Sequence, residues 1–247
     1  MANELGTPIR TLVCGNGRMG ALVRAAVESD DAFEFVGQVG IEDVDALDGG
    51  DGVPAADLVI DFTNREMLPH LAAYLRRSPA ALVSGTTGLD AEDQALLDSL
   101  AQDMPVMWSA NYSLGVAVMR RLAAQAAAAL EGFDIEIVET HHNQKVDAPS
   151  GTAKLLLAAV DPDGACAVAS GRDGMVGARP TKEIGMHALR GGTVAGTHEV
   201  HFFGADEEVC LTHRATSRQI FVNGAVAAAK RLAACEPGRY VFEDLML

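Results

Sequence analysis

Of the 247 residues only 5% are aromatic, one is tryptophan and four are cysteine. The cysteines, Cys14, Cys166, Cys210 and Cys235, form no CxxC pair and no zinc-like spacing, so neither a disulfide framework nor a metal centre is expected from them. His198 and His201 do not change this, because residues three apart on a strand point to opposite faces. Basic residues are scarce: 19 Lys and Arg against 34 Asp and Glu give a net charge of −15. That balance excludes nucleic acid and anionic membrane as general partners, and any anionic ligand must be held by local positive potential. No apolar run approaches the ~18 residues of a membrane span, and the opening MANELGTPIRTLV has no basic-then-apolar leader. A soluble cytoplasmic protein is the expectation.

What is present begins with a short apolar run, Ile9 to Cys14, followed by GNGRMG and a helical segment, ALVRAAVES. Gly15, Gly17 and Gly20 fit GxGxxG. The first allows a tight turn, the second a close approach of pyrophosphate, and the third close helix packing. Strand, glycine turn and helix in this order point to a dinucleotide. Further strands are predicted at 33–39, 58–62, 81–84 and 106–108, alternating with helices, the last of which Asp90 caps. The pattern implies a doubly wound parallel sheet, with ligands beyond the carboxyl ends of its strands. On that edge fall GNGRMG, FTN, GTTG and ANYS, and with them the candidate cofactor residues Gly15, Asn16, Gly17, Arg18, Met19, Gly20, Phe62, Thr63, Gly85, Thr86, Thr87, Ala110, Asn111 and Tyr112. Trp108 and Tyr112 are also packing candidates. The second strand ends in Gln38, Val39, Gly40 and Ile41, with Glu42 and Asp43 beyond. Neither the ribose-binding acid of an NAD site nor the arginine of an NADP site is in its usual place. The cofactor is NADH or NADPH, with a lean to NADH.

After an alanine-rich helix at 114–130 the pattern changes to strand-like runs separated by glycine turns, an α+β domain on a more open, mixed or antiparallel sheet. A helix after Ser217 returns to the first domain. The expected division is 1–113 with 219–247 for dinucleotide binding, and 114–218 for substrate. Within the second part, the stretch ETHHNQKVDAPSGTAK, 139–154, is too polar for a core and lies on a strand-to-helix connection. Ser150 is a good N-cap, so backbone N–H groups near Gly151 and Thr152 can face an anion. His141, His142 and Lys145 beside it can carry protons, and Asp147 reads as an orienting or turn-capping residue. Arg190, followed by two glycines, reads as a turn or subunit-contact residue.

GNGRMG, DFT at 61–63, GTTG at 85–88, ANYSLGV, ETHHNQKVDAPSGTA, LRGGTVAGTH and THRATSRQIFVNGA occur in order along nearly the whole chain. Together they resemble dihydrodipicolinate reductase, also called 4-hydroxy-tetrahydrodipicolinate reductase. The resemblance implies a Rossmann domain, a second substrate and tetramerisation domain, and use of NADH or NADPH to reduce a cyclic imine dicarboxylate to tetrahydrodipicolinate in the diaminopimelate route to lysine. It implies a homotetramer built through the second domain. It assigns His141 as general acid, His142 to the substrate site, Lys145 as a proton donor, and Ser150, Gly151 and Thr152 to a substrate carboxylate. Gly85, Thr86 and Thr87 would lie at the nicotinamide, with Phe62 and Thr63 on its other side. Whether His141 or Lys145 delivers the proton is open. The residues alone also fit another two-domain dehydrogenase, or a module that senses dinucleotide without turnover.

Overall fold

The computed structural model describes residues 7–247; the first six residues of the segment read above as lacking a leader lie outside them. Contacts divide the chain into one unit that runs to Ser113 and resumes over Gln219–Leu247, and a second over Leu114–Arg218.

The first unit begins with β1 (Ile9–Cys14), α1 (Arg18–Glu28), β2 (Phe33–Val39), the single turn α2 (Val44–Leu47) and β3 (Leu58–Asp61). It continues through α3 (Leu68–Arg77), β4 (Ala81–Ser84), α4 (Ala91–Leu100) and β5 (Pro105–Trp108). The second unit holds α5 (Leu114–Ala129), β6 (Asp134–His141), α6 (Gly151–Val160), β7 (Ala167–Ala169), β8 (Glu183–Arg190), β9 (Gly196–Gly204) and β10 (Glu207–Ala215). The chain then returns to the first unit with α7 (Gln219–Leu232), β11 (Gly238–Tyr240) and α8 (Phe242–Met246).

The first sheet has the order β11-β5-β4-β3-β1-β2, and every described pairing in it is parallel. Its central strands are buried along their length, as continuous apolar runs such as LVC and LVI require of a sheet covered on both faces. On one face Leu12, Val59, Leu82 and Val106 join Leu71, Leu75, Leu97 and Leu100 of α3 and α4 in a single apolar cluster. On the other lie α1 and α7, which touch each other. Asp90 caps α4 as expected, accepting from the N–H groups of Glu92 and Asp93. The strand order reverses between β1 and β3, so GNGRMG and Phe62-Thr63 leave the sheet side by side at its switch point.

The second sheet is mixed, with order β10-β9-β6-β8-β7. β6 runs parallel to β8 and antiparallel to β9. Ile137, Ile184, Met186, Val200 and Phe202 from one face pack with Met119 and Ala123 of α5 and Ala153, Leu156 and Val160 of α6. The opposite face carries Glu136, His187, Leu189, His201 and Phe203, set by the period-2 alternation of the strands. β6 extends to His141, so this histidine ends a strand and does not belong to the connection after it. The three-residue strands β7 and β11 carry no alternation long enough to be read from sequence. No helix among the described residues is long and apolar enough to cross a membrane.

Candidate active site: two polar clusters

In the first unit Gly15, at φ +121°, turns the chain where a Cβ would lie 2.6 Å from the Phe62 carbonyl oxygen. A Cβ on Gly20 would fall 1.8 Å from the Gly15 carbonyl oxygen, so α1 packs directly on the turn. Gly17, the N-cap, has nothing within 4 Å of its Cβ position. No side chain caps α1 and its first turn has no acidic residue, which leaves the positive end of an 11-residue helix to an anion. Gly17 and Arg18 are exposed and Met19 is half-buried. These features fit the pyrophosphate of a dinucleotide. The Asn16 amide donates to Glu42, and Gln38 Nε2 donates to the Gly15 carbonyl at 2.7 Å. Glu42 is thus an acid beside the glycine turn, although its sequence offset concealed it.

At the ends of β3 and β4 the organiser is Asp61, which is 1% exposed. Its Oδ1 accepts from the Thr63 N–H at 3.0 Å and hydroxyl at 2.5 Å, and its Oδ2 from Ser84 Oγ at 2.7 Å and Thr86 Oγ1 at 2.9 Å. Burial pushes this carboxyl up despite the four donors. One side chain therefore ties the DFT and GTTG segments together. Gly85 lies against the Phe62 ring, which a Cβ would approach to 2.3 Å. Trp108 Nε1 donates to the Thr86 carbonyl at 2.7 Å, so the tryptophan braces the loop. Of the cofactor candidates, Phe62, Thr63, Gly85 and Thr87 stand at least partly exposed on this edge, while Thr86 is buried with its hydroxyl on Asp61. Ala110 is exposed, and Asn111 Oδ1 accepts from the Ser113 N–H at 2.7 Å. The Tyr112 ring lies in the core against Phe62 and Phe242, and its hydroxyl donates to the Ser84 carbonyl at 2.7 Å. That side chain is a brace and not a contact available to a ligand.

In the second unit the organiser is Glu139, whose side chain is fully buried. Arg190, which pairs with His141 across the β6–β8 ladder, reaches back to donate to both carboxylate oxygens at 2.8 Å. His141 Nδ1 lies 2.5 Å from Oε2, and the Ser150 N–H donates to Oε1 at 3.0 Å. Burial raises the Glu139 carboxyl, but these donors outweigh it and hold it below the ordinary glutamate range. An ionised Glu139 accepts the His141 Nδ1 proton and leaves Nε2 as the working nitrogen. Burial lowers the His141 pKa, and the nearby Lys145 and Arg190 charges add to it against the pull of Glu139. The imidazole is therefore neutral at pH 7. Arg190 ends β8 and serves this carboxylate, in place of the turn role expected for it.

Ser150 is the N-cap of α6; its Oγ accepts from the Ala153 N–H at 3.1 Å and stands 3.1 Å from His198 Nε2. His198 is buried, its ring edge-on to His141 at 5.1 Å between centroids. The turn between β6 and α6 is anchored by His142 N–H to the Val194 carbonyl and Asn143 N–H to the Gly192 carbonyl. Arg218 donates to His142 Nε2 at 3.3 Å, and Lys145 Nζ is 2.7 Å from Asp147 Oδ1. Thus His141, His142, Lys145 and the Ser150-Gly151-Thr152 helix start fall within one turn and its two flanking elements. Sequence reasoning missed Asp61, Glu139, Arg190, His198 and Arg218 as parts of these clusters. Only Glu139 gave a local signal, as the residue two before His141 and so on the same strand face.

Burial, then the charge of His141, lowers the His198 pKa from 6.5 to about 4. The unfolded chain takes up this proton near pH 6.5 and the folded one only near 4, so stability is present above 6.5 and lost as pH falls through that window. The loss is on the order of 3 kcal/mol. Urea midpoints measured from pH 7 to 4 should fall accordingly, and His198→Asn should flatten this part of the curve; an unchanged slope in the variant would count against the assignment.

Two family models match the chain: "Dihydrodipicolinate reductase, N-terminus" over residues 9–112 and "Dihydrodipicolinate reductase, C-terminus" over residues 115–246. Among curated relatives, the 4-hydroxy-tetrahydrodipicolinate reductase of a Nitratiruptor species is 41% identical, covering 94% of this chain and 96% of that one. That of an Anaeromyxobacter species is 42% identical, covering 99% and 94%. Among solved structures, a dipicolinate-bound dihydrodipicolinate reductase from Paenisporosarcina sp. TG-14 shares the fold with a TM-score of 0.72 at 21% identity, covering 96% of this chain and 99% of that one. The DAP dehydrogenase of C. glutamicum aligns with a TM-score of 0.55 at 14% identity over 98% of this chain and 96% of that one. Matched over both halves and at this identity to full-length relatives, the chain belongs to the dihydrodipicolinate reductase family.

Proposed function

We infer that the chain reduces 4-hydroxy-tetrahydrodipicolinate to tetrahydrodipicolinate with NADH or NADPH, in the diaminopimelate route to lysine. The observation that carries this reading is the buried Glu139, which fixes at once the tautomer of His141 and the start of the anion-facing helix at Ser150. Gly15 to Gly20 hold the dinucleotide's pyrophosphate, and Phe62, Thr63, Gly85, Thr86, Thr87 and the Ala110–Tyr112 backbone border its nicotinamide. When bound, the dinucleotide supplies the hydride. Ser150, Gly151 and Thr152 hold one substrate carboxylate at the N-terminus of α6, and His142 with Arg218 faces the other. Loss of water from the 4-hydroxy substrate gives the conjugated imine, and hydride addition to it leaves electron density on the ring, which must gain a proton. Lys145 donates it from Nζ, and neutral His141, with its proton held at Nδ1 by Glu139, offers Nε2 as an acceptor that orients the substrate. Asp147 holds the ammonium in place. A homotetramer built on the helix-free face of the second sheet accords with the exposure of Leu189 and Phe203 there, 49% and 40%.

The test is NAD(P)H oxidation with substrate generated in situ by the preceding synthase: turnover dependent on that synthase's product supports the reading, and its absence with both cofactors refutes it. Thr152→Val should raise KM roughly 10- to 100-fold with kcat little changed, the range for a hydrogen bond to a charged group; an unchanged KM would remove Thr152 from the carboxylate site. The position of Glu42 by Asn16 predicts a modest preference for NADH, with a kcat/KM ratio below ~100. Glu42→Ala should move that ratio toward NADPH, because it removes a negative charge next to the adenosine ribose; a ratio that stays put would show that Glu42 does not read the ribose.

A further inference from the structure

On the helix-free face of the second sheet, opposite the face that carries Glu139 and His141, three side chains bring together donors that a transition metal takes. His201 on β9 and Cys210 on β10 stand directly across the antiparallel ladder, and Glu208 lies two residues before Cys210, on the same face. Cys210 Sγ is 3.9 Å from His201 Nε2, and Glu208 Oε1 is 2.6 Å from His201 Nδ1. One ligand atom from each of the three lies within 4.8 Å of the other two. The His201 ring is stacked flat on Phe203, 5.6 Å between centroids at 5°, so its orientation is set before any ion arrives.

We propose that His201, Glu208 and Cys210 form a site on this sheet face for one divalent ion of the zinc class. Imidazole, thiolate and carboxylate are a borderline-soft set, which disfavours the oxygen-seeking Mg²⁺ and Ca²⁺ and suits Zn²⁺ or Co²⁺. A tetrahedral zinc with its usual bond lengths sets nitrogen and sulfur about 3.6 Å apart, close to the 3.9 Å between Nε2 and Sγ. Glu208, 44% exposed, swings its carboxylate from Nδ1 to become the third ligand, and the fourth position is left for water or an outside group. Binding replaces the thiol proton of Cys210 by the metal and releases that proton to solvent. The ion then clips the edge strand β10 to β9. Because the ligands come from two strands of a hairpin, no CxxC-like spacing announces them.

Co²⁺ reads the site directly, since a cobalt–thiolate bond gives a near-ultraviolet charge-transfer band. The full chain is stripped with chelator and titrated in its native assembly, because this face is the one proposed above to meet other copies. The expected result is a band that saturates at about one ion per chain and is displaced by Zn²⁺. It should vanish in Cys210→Ser, weaken at least about tenfold in affinity in His201→Ala, and persist in Cys166→Ser and Cys235→Ser. Absence of the band in the unsubstituted chain, its survival in Cys210→Ser, or equal affinity in His201→Ala would each overturn the proposal.

Discussion

Replacing Lys145 with alanine is expected to lower kcat by about 10²- to 10⁴-fold, the range supplied by general acid catalysis, with cofactor affinity nearly unchanged. The lysine is partly buried in the turn between β6 and α6, its N–H on the His142 carbonyl and its ammonium on Asp147. Burial and neighbouring positive charge lower the His141 pKa, which favours its neutral form over the acid form. The pH profile tests the imidazole: if His141 were the acid, kcat would decline as pH rose through the acid side of neutrality, and a kcat that holds there rules it out. Near-normal turnover of Lys145→Ala would remove the lysine from the chemistry and return the role to His141.

The largest structural effect should come from Glu139→Ala. It leaves Arg190 facing a low-dielectric space without its carboxylate and strips both His141 Nδ1 and the Ser150 N–H of their acceptor. Breaking a buried ion pair from one side costs about 3–5 kcal/mol. Chemical denaturation of Glu139→Ala, Arg190→Ala and the double variant measures it. The two losses should be strongly non-additive, with a coupling of at least ~1 kcal/mol; additive losses would mean that the pair does not act as a unit. In the same variant kcat should fall, because His141 loses the partner that selects its tautomer.

How much of this was legible depended on how far apart in sequence the partners lie. GNGRMG forms the turn after β1 and the start of α1, and Asp90 and Ser150 cap the helices that begin next to them, because glycine turns and caps are set by residues within a few positions. The DFT and GTTG segments could be placed on a sheet edge, but not their dependence on one carboxylate, since Thr86 reaches Asp61 over 25 residues. Arg190 meets Glu139 over 51 residues and His198 meets Ser150 over 48. Those pairings are fixed by strand register: His141 faces Arg190 across β6–β8, and Glu139 faces His198 across β6–β9. A two-glycine turn after Arg190 looked like its explanation, whereas the parallel ladder gives it another. Tyr112 shows the converse. Its place on the ligand edge was readable, but the direction of its ring, inward onto Phe242, is decided by the helix α8 from the far end of the chain.

The central claim is hydride delivery to a dicarboxylate bound beside His141 and Lys145, and isotope transfer tests it most directly. With NADH deuterated at the transferring position of C4 and substrate made in situ, mass spectrometry of the tetrahydrodipicolinate product should show one deuterium per molecule from the nicotinamide and none lost to water. Cofactor oxidation without label in the product, or no oxidation at all, would contradict the account.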